Sequence, residues 1–99
     1  MPKTKNTSLH KEIKTFIEIN YPDYADKILL ADGFDNCLIG FTSNQGGNPV
    51  AVYDKWKIVK QLAKDLNTDD GEALEYFDYN VENAYVGDFT PKYVDRFER

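Results

Sequence analysis

A chain of 99 residues, 41% apolar and 29% charged, has material for one domain with one modest core. Seventeen acids against 12 bases leave a net charge of −5, which argues against direct binding to nucleic acid, whose phosphates recruit a basic surface. One cysteine and one histidine exclude an internal disulfide, a zinc cluster and the protease inventories, and no run approaches the roughly 18 apolar residues that a membrane span needs.

The opening MPKTKNTSLHKEIK carries bases without an apolar region behind them, so it is not expected to be a secretory signal, and a cytoplasmic location is expected. Residues 1–6 are polar and are expected to form a mobile lead into a single domain over 7–99. Ser8 is placed to cap a first helix through about Asn20, with Leu9, Ile13, Phe16 and Ile17 on one face. Tyr21-Pro22 should end it, because proline disfavours the helical conformation in the residue before it. A short second helix is expected over Tyr24 to Leu30, with Ile28 and Leu29 inward, before Ala31-Asp32-Gly33 turns the chain.

Asn36 to Thr42, centred on CLIGFT, reads as a strand, with Cys37 as a small buried apolar residue in it. Pro49 to Tyr53 reads as a second strand. The connection Ser43 to Asn48 is too short for a parallel crossover, so it predicts an antiparallel hairpin. That loop lacks the Lys-Ser/Thr of a phosphate loop, and no helix opens directly after it. Asp54 should cap a helix over Lys55 to Leu66, with Ile58, Val59, Leu62, Ala63 and Leu66 inward and Lys57, Lys60 and Lys64 on another stripe. Asp69 and Glu72 form a capping box for a last helix, whose inner face should be Leu74, Phe77, Val81 and Ala84. Gly87 marks a turn, and Phe89, Tyr93, Val94 and Phe97 form a C-terminal arm. The predicted fold is α+β: an antiparallel hairpin, which the arm can extend to a small sheet, packed against three to four helices.

The charge is unevenly distributed. From Asp65 to Pro91 there are eight acids and no base, preceded by a lysine run at 55, 57, 60 and 64. The helix dipole accounts for Asp69, Asp70 and Glu72 near a helix start. It does not account for Asp78, Glu82 and Asp88, which fall late. Those acids ask for a cationic partner, either the chain's own lysines or a basic surface elsewhere.

The ordered series Asp32–Asp35, Ile39-Gly40, Val52-Tyr53-Asp54, Glu72-Ala73, Tyr76-Phe77, Tyr79-Asn80, Ala84-Tyr85-Val86-Gly87 and Thr90-Pro91 resembles a family of small uncharacterised proteins encoded in bacteriophage genomes. The likeness covers about residues 31–91. It departs at Gly71, where a second acid would be usual, and at the more acidic Thr68-Asp69-Asp70. It implies a viral setting and carries no activity.

Three features are candidates for function. Asp32-Gly33-Phe34-Asp35 sets two carboxylates at a turn, able to meet a cation or simply to bond their own backbone. The acidic segment and the tyrosines Tyr76, Tyr79 and Tyr85 offer a contact surface, or a solvated helix with core-rim packing. Asn80, in an aromatic helix, could bond a neighbouring strand or hairpin, or read a ligand. The absent catalytic set and the base-free segment point to a non-enzymatic phage accessory protein. It would bind and modulate a host or phage macromolecule, expected to be a protein with a basic surface, through Glu75, Tyr76, Asp78, Tyr79, Asn80, Glu82 and Tyr85. The alternative is a module for a nucleotide or signalling molecule, with a site from Asp32, Asp35, Tyr53, Asn80 and Tyr85. A metal-dependent hydrolase built on Asp32 and Asp35 is a third reading. No cofactor, metal or membrane is expected, and a homodimer fits a chain this small and tyrosine-rich.

Overall fold

Leu9, Ile13 and Ile17 recur at helical spacing, and they lie on the inner face of the first helix, α1 (Pro2–Asn20), where Ile13 and Ile17 are buried. The computed structural model describes residues 2–97, and their side chains from Ser8 onward. Because α1 begins at Pro2, Ser8 lies inside the helix and does not cap it. The expected mobility of residues 1–6 concerns Met1 and side chains that lie outside those described. The helix ends where Tyr21-Pro22 requires, with Tyr21 outside the helical region at φ −136°, ψ 55° and the Asn20 side-chain amide bonded back to the Phe16 carbonyl at 2.9 Å.

The second helix expected over Tyr24 to Leu30 does not form. One 3₁₀ turn (Pro22–Tyr24) is followed by a turn and then irregular chain. Tertiary contacts decide this. Ile28 is buried against α1, Leu30 packs against both apolar clusters, and the Ala31 N–H donates to the Tyr53 hydroxyl at 2.7 Å. A helix would fold those groups back on themselves. Leu29, expected inside, is exposed.

β1 (Leu38–Ser43) starts later than expected, because Asp35–Cys37 form a second 3₁₀ turn; Cys37 is buried but not in a strand. β1 pairs antiparallel with β2 (Pro49–Asp54), with Leu38 opposite Tyr53 and Phe41 opposite Ala51. The register slips between Leu38 and Gly40. That bulge absorbs Ile39 and lets Leu38 and Phe41, an odd number apart, share the face of Ala51 and Tyr53. Ile39 is left half-exposed.

Asp54 caps α2 (Lys55–Leu66) as expected, its Oδ1 accepting from the Trp56 and Lys57 N–H groups at 3.1 and 3.2 Å. Asn67 closes the helix in the left-handed region at φ 56°. Ile58, Val59 and Leu62 are buried, and Leu66 is exposed. α3 (Asp70–Phe77) is capped by Asp69, whose Oδ1 accepts the Glu72 N–H at 2.8 Å. It continues as one π-helical turn, Asp78–Glu82. The wider turn inserts a residue and rotates the chain beyond it, so the expected inner face fails at its end. Ala73 and Phe77 are fully buried, Leu74 and Val81 partly so, and Ala84 is exposed.

The C-terminal arm does extend the hairpin. β3 (Lys92–Val94) pairs parallel with β2, so the strand order is β1-β2-β3. The connection through α2 and α3 is long enough for that crossover. Tyr93 lies between the Tyr53 ring at 5.8 Å and the edge of Phe77 at 5.3 Å, locking β3 to the core. The chain is α+β, with three helices packed on a three-stranded mixed sheet.

Candidate functional site

α3 and its π-helical turn present the acidic, tyrosine-rich surface. Tyr79 is 79% exposed, Tyr85 76% and Tyr76 44%, so the first two are not rim packing. Glu75, Asn80 and Glu82 are exposed beside them, and Asp78 is half-buried. The chain's own lysines neutralise part of the acidic segment. Lys60 pairs with Asp70, and Lys55 reaches Glu82 at 4.0 Å. Lys57 turns the other way, toward the Asn36 carbonyl at 3.5 Å. Among the described residues, Glu75, Asp78 and Asp88 have no ion-pair partner.

Asn80 does not bond a strand or the hairpin. Its amide donates to the Tyr76 carbonyl of its own helix at 3.1 Å, and Asn83 donates to the Asp78 carbonyl at 2.6 Å. These two bonds satisfy carbonyls that the change from α to π geometry disturbs.

The five residues of the expected ligand site are only partly brought together. Asp32 and Asn80 line one cleft of about 430 Å³, walled by Leu29, Phe34, Val86 and Tyr93. Tyr53 is fully buried beneath it, its hydroxyl occupied by Ala31. Asp35 instead pairs with His10 at 3.0 Å, docking the turn before β1 onto α1. Tyr85 lines a second, polar cleft of about 480 Å³ with Asn44, Gln45, Asn48, Asp88 and Lys92. Residues 84–87 alternate between the two: Ala84 and Val86 line the apolar cleft, Tyr85 and Gly87 the polar one. That alternation of apolar with polar or glycine residues is visible in the sequence, and it was the available signal for Val86. The His10–Asp35 pair had none, because nothing local links residues so far apart.

Asp32-Gly33-Phe34-Asp35 is built as a turn. Gly33 sits at φ +85°, which a side chain rarely tolerates, and its carbonyl accepts from the Gln61 amide at 2.8 Å. The SNQGGN loop is a hairpin turn. Asn44 Oδ1 accepts from Gly46 and Asn48 N–H groups, while its amide donates to the Asp88 carbonyl at 2.7 Å. Asn44 therefore pins the hairpin tip to the segment after α3.

The buried titratable groups belong to the core. Burial pushes the Cys37 thiol up to about 11, against a smaller pull from the nearby Lys57 charge, and its Sγ points at Gln61 Oε1 at 3.8 Å. A thiol so protonated is a poor nucleophile. Burial also raises Tyr53 and Tyr93. Among the described residues no group of three or more His, Cys, Asp or Glu side chains is placed to hold a metal ion, and no helix is long and apolar enough to cross a membrane. Set against models of known protein families, curated proteins and solved structures, the chain matches none.

Proposed function

We propose that the chain is a non-enzymatic accessory protein that binds and modulates a host or phage macromolecule in the cytoplasm through the surface of Glu75, Tyr76, Asp78, Tyr79, Asn80, Glu82 and Tyr85. The exposure of Tyr79 and Tyr85 next to acids without internal partners carries this reading. Tyrosines bury large areas at interfaces and are enriched there. Unpaired acids steer a basic surface toward them. The phage setting rests on the resemblance of residues 31–91. Simultaneous Glu75→Lys, Asp78→Lys and Glu82→Lys should abolish capture of the partner from lysate of the infected host. The same reversal at Asp23 and Asp26 should leave capture intact. Equal capture by both variants removes this surface from consideration.

The cleft that joins Asp32 and Asn80 favours a second reading, a small-ligand module. Its size falls within the range of small-molecule sites, and its lining is mostly apolar with few polar groups. On that reading, screening nucleotides and signalling molecules by thermal melting finds one that raises the midpoint by several degrees, since a ligand of the folded state alone adds to its stability. The shift disappears in Asn80→Ala. A flat screen dismisses the reading.

A further inference from the structure

We propose that the outer edge of β1, with the groove between β1 and α1, is a second binding site, which takes an extended segment of a partner protein by strand addition. The segment carries apolar side chains and a Lys or Arg on its inward face. β1 lies at the edge of the sheet, and among the described residues its only pairing is with β2. Its outward N–H and C=O groups therefore form an open template, which folded proteins ordinarily guard with charge, proline or brevity. The opposite edge is guarded: β3 has three residues and sits among Pro91, Lys92, Asp95 and Arg96. β1 reads LIGFTS, with no charge and no proline, and carries only the bulge at Ile39.

A groove runs alongside this edge. Leu9, Ile13 and Phe16 of α1 face Leu38, Ile39 and Phe41 of β1 across about 260 Å³. That is below the usual size of a small-molecule site but accommodates side chains of a strand. Phe16 stacks on Phe41 at 5.4 Å yet stays 47% exposed, and Ile39 is 48% exposed. Gly40 lines the groove with open space where a side chain would stand. An edge strand beside a helix with an apolar groove between them is the geometry by which strand-adding domains bind peptides: the backbone supplies affinity and the groove reads alternate side chains.

Charge selects the occupant. Among the described residues, Glu12 is the one charged side chain lining the groove, set with Leu9 and Phe16 at three- and four-residue spacing. A basic side chain in the added strand meets it. A second copy of the chain would bring a net charge of −5 against −5, which disfavours self-pairing.

The test uses the full chain, isotope-labelled and followed by NMR during titration with the capped peptide TVTKTVT. Saturable shifts are expected at residues 38–43 and along the 9–16 face of α1. TVTETVT should bind at least tenfold more weakly, and Glu12→Lys should reverse that order. N-methylation of one alternating set of peptide amides should block binding while the other set is tolerated, because an added strand uses every second N–H. Ile39→Asp should remove binding while the dispersed spectrum is retained. Equal binding of both methylated peptides overturns strand addition. Shifts confined elsewhere, or none up to millimolar peptide, overturn the site. A dimer in sedimentation equilibrium that Ile39→Asp dissolves overturns the assignment of the occupant, and gives the edge to a second copy.

Discussion

Phe77→Ala should destabilise the fold by about 3–5 kcal/mol, read as a lower urea midpoint with little change in slope. Phe77 is fully buried in the cluster of Tyr53, Ile58, Val59, Leu62 and Ala73. It meets the Tyr93 ring edge to face, so truncation also loosens β3. The Lys55 ammonium lies 5.9 Å from its centroid and would lose that contact. Domains of this size hold about 5–15 kcal/mol in all, so the variant should sit close to unfolding at ambient temperature. Tyr79→Ala, two residues on, should change stability by no more than about 0.5 kcal/mol, since that ring is exposed. A loss under 1 kcal/mol for Phe77→Ala would mean that α3 and β3 are not fastened by this ring.

Tyr53→Phe should cost about 1–3 kcal/mol, although it removes one atom from a buried ring. The Tyr53 hydroxyl accepts the Ala31 N–H at 2.7 Å, a bond that ties the end of the 28–31 segment to β2. Without it a partly buried donor has no acceptor. Amide exchange should accelerate at residues 28–34 before it does in α2. The same residue bears on the pH profile. Burial raises the folded-state values of Tyr53 and Tyr93 above the ordinary 10.0, and that of Cys37 from 9.0 to about 11. Groups that hold their proton more tightly when folded contribute stability that is complete below the unfolded values and is lost as pH rises through the folded ones. The midpoint should therefore hold to about pH 9 and then fall as pH rises further. The fall should be shallower in Tyr53→Phe, which has one fewer buried proton to lose. A midpoint flat from pH 8 to 11 would contradict the burial of these three groups.

Local chemistry made some elements legible and concealed others. The bounds of α2 were readable to the residue, because an Asp cap and an apolar stripe agree over Lys55–Leu66. The hairpin was readable because SNQGGN cannot bridge parallel strands. The stretch from Tyr24 to Leu30 misled because its apolar residues suit a helix face equally well as an irregular chain laid between two clusters. The contacts of Ile28, Leu30 and Ala31 with distant residues made the choice. Ala84 failed for a different reason. The π-helical turn breaks the periodicity on which the inner face was drawn, and such an insertion leaves no compositional mark.

The candidate surface divides in the same way. Composition alone showed that Asp65 to Pro91 is acidic, tyrosine-rich and free of bases. Folding then distributed those acids: Asp70 and Glu82 to the chain's own lysines, Asp69 to a cap, Glu75 to solvent, and Asp78 to a half-buried position without an ion-pair partner. It separated Asp35 from Asp32 by pairing it with His10, and it drew Tyr53 into the core.

By itself, then, the sequence determined what depends on neighbours within a few residues: the caps of α2 and α3, the hairpin, the α+β class and the sign of the surface. Only the tertiary structure decided the parallel docking of β3, the bulge at Ile39, the non-helical path of 28–31 and the place of β1 at the sheet edge. Each depends on a partner far along the chain, and periodicity carries no information about which distant group will satisfy a given backbone or side chain.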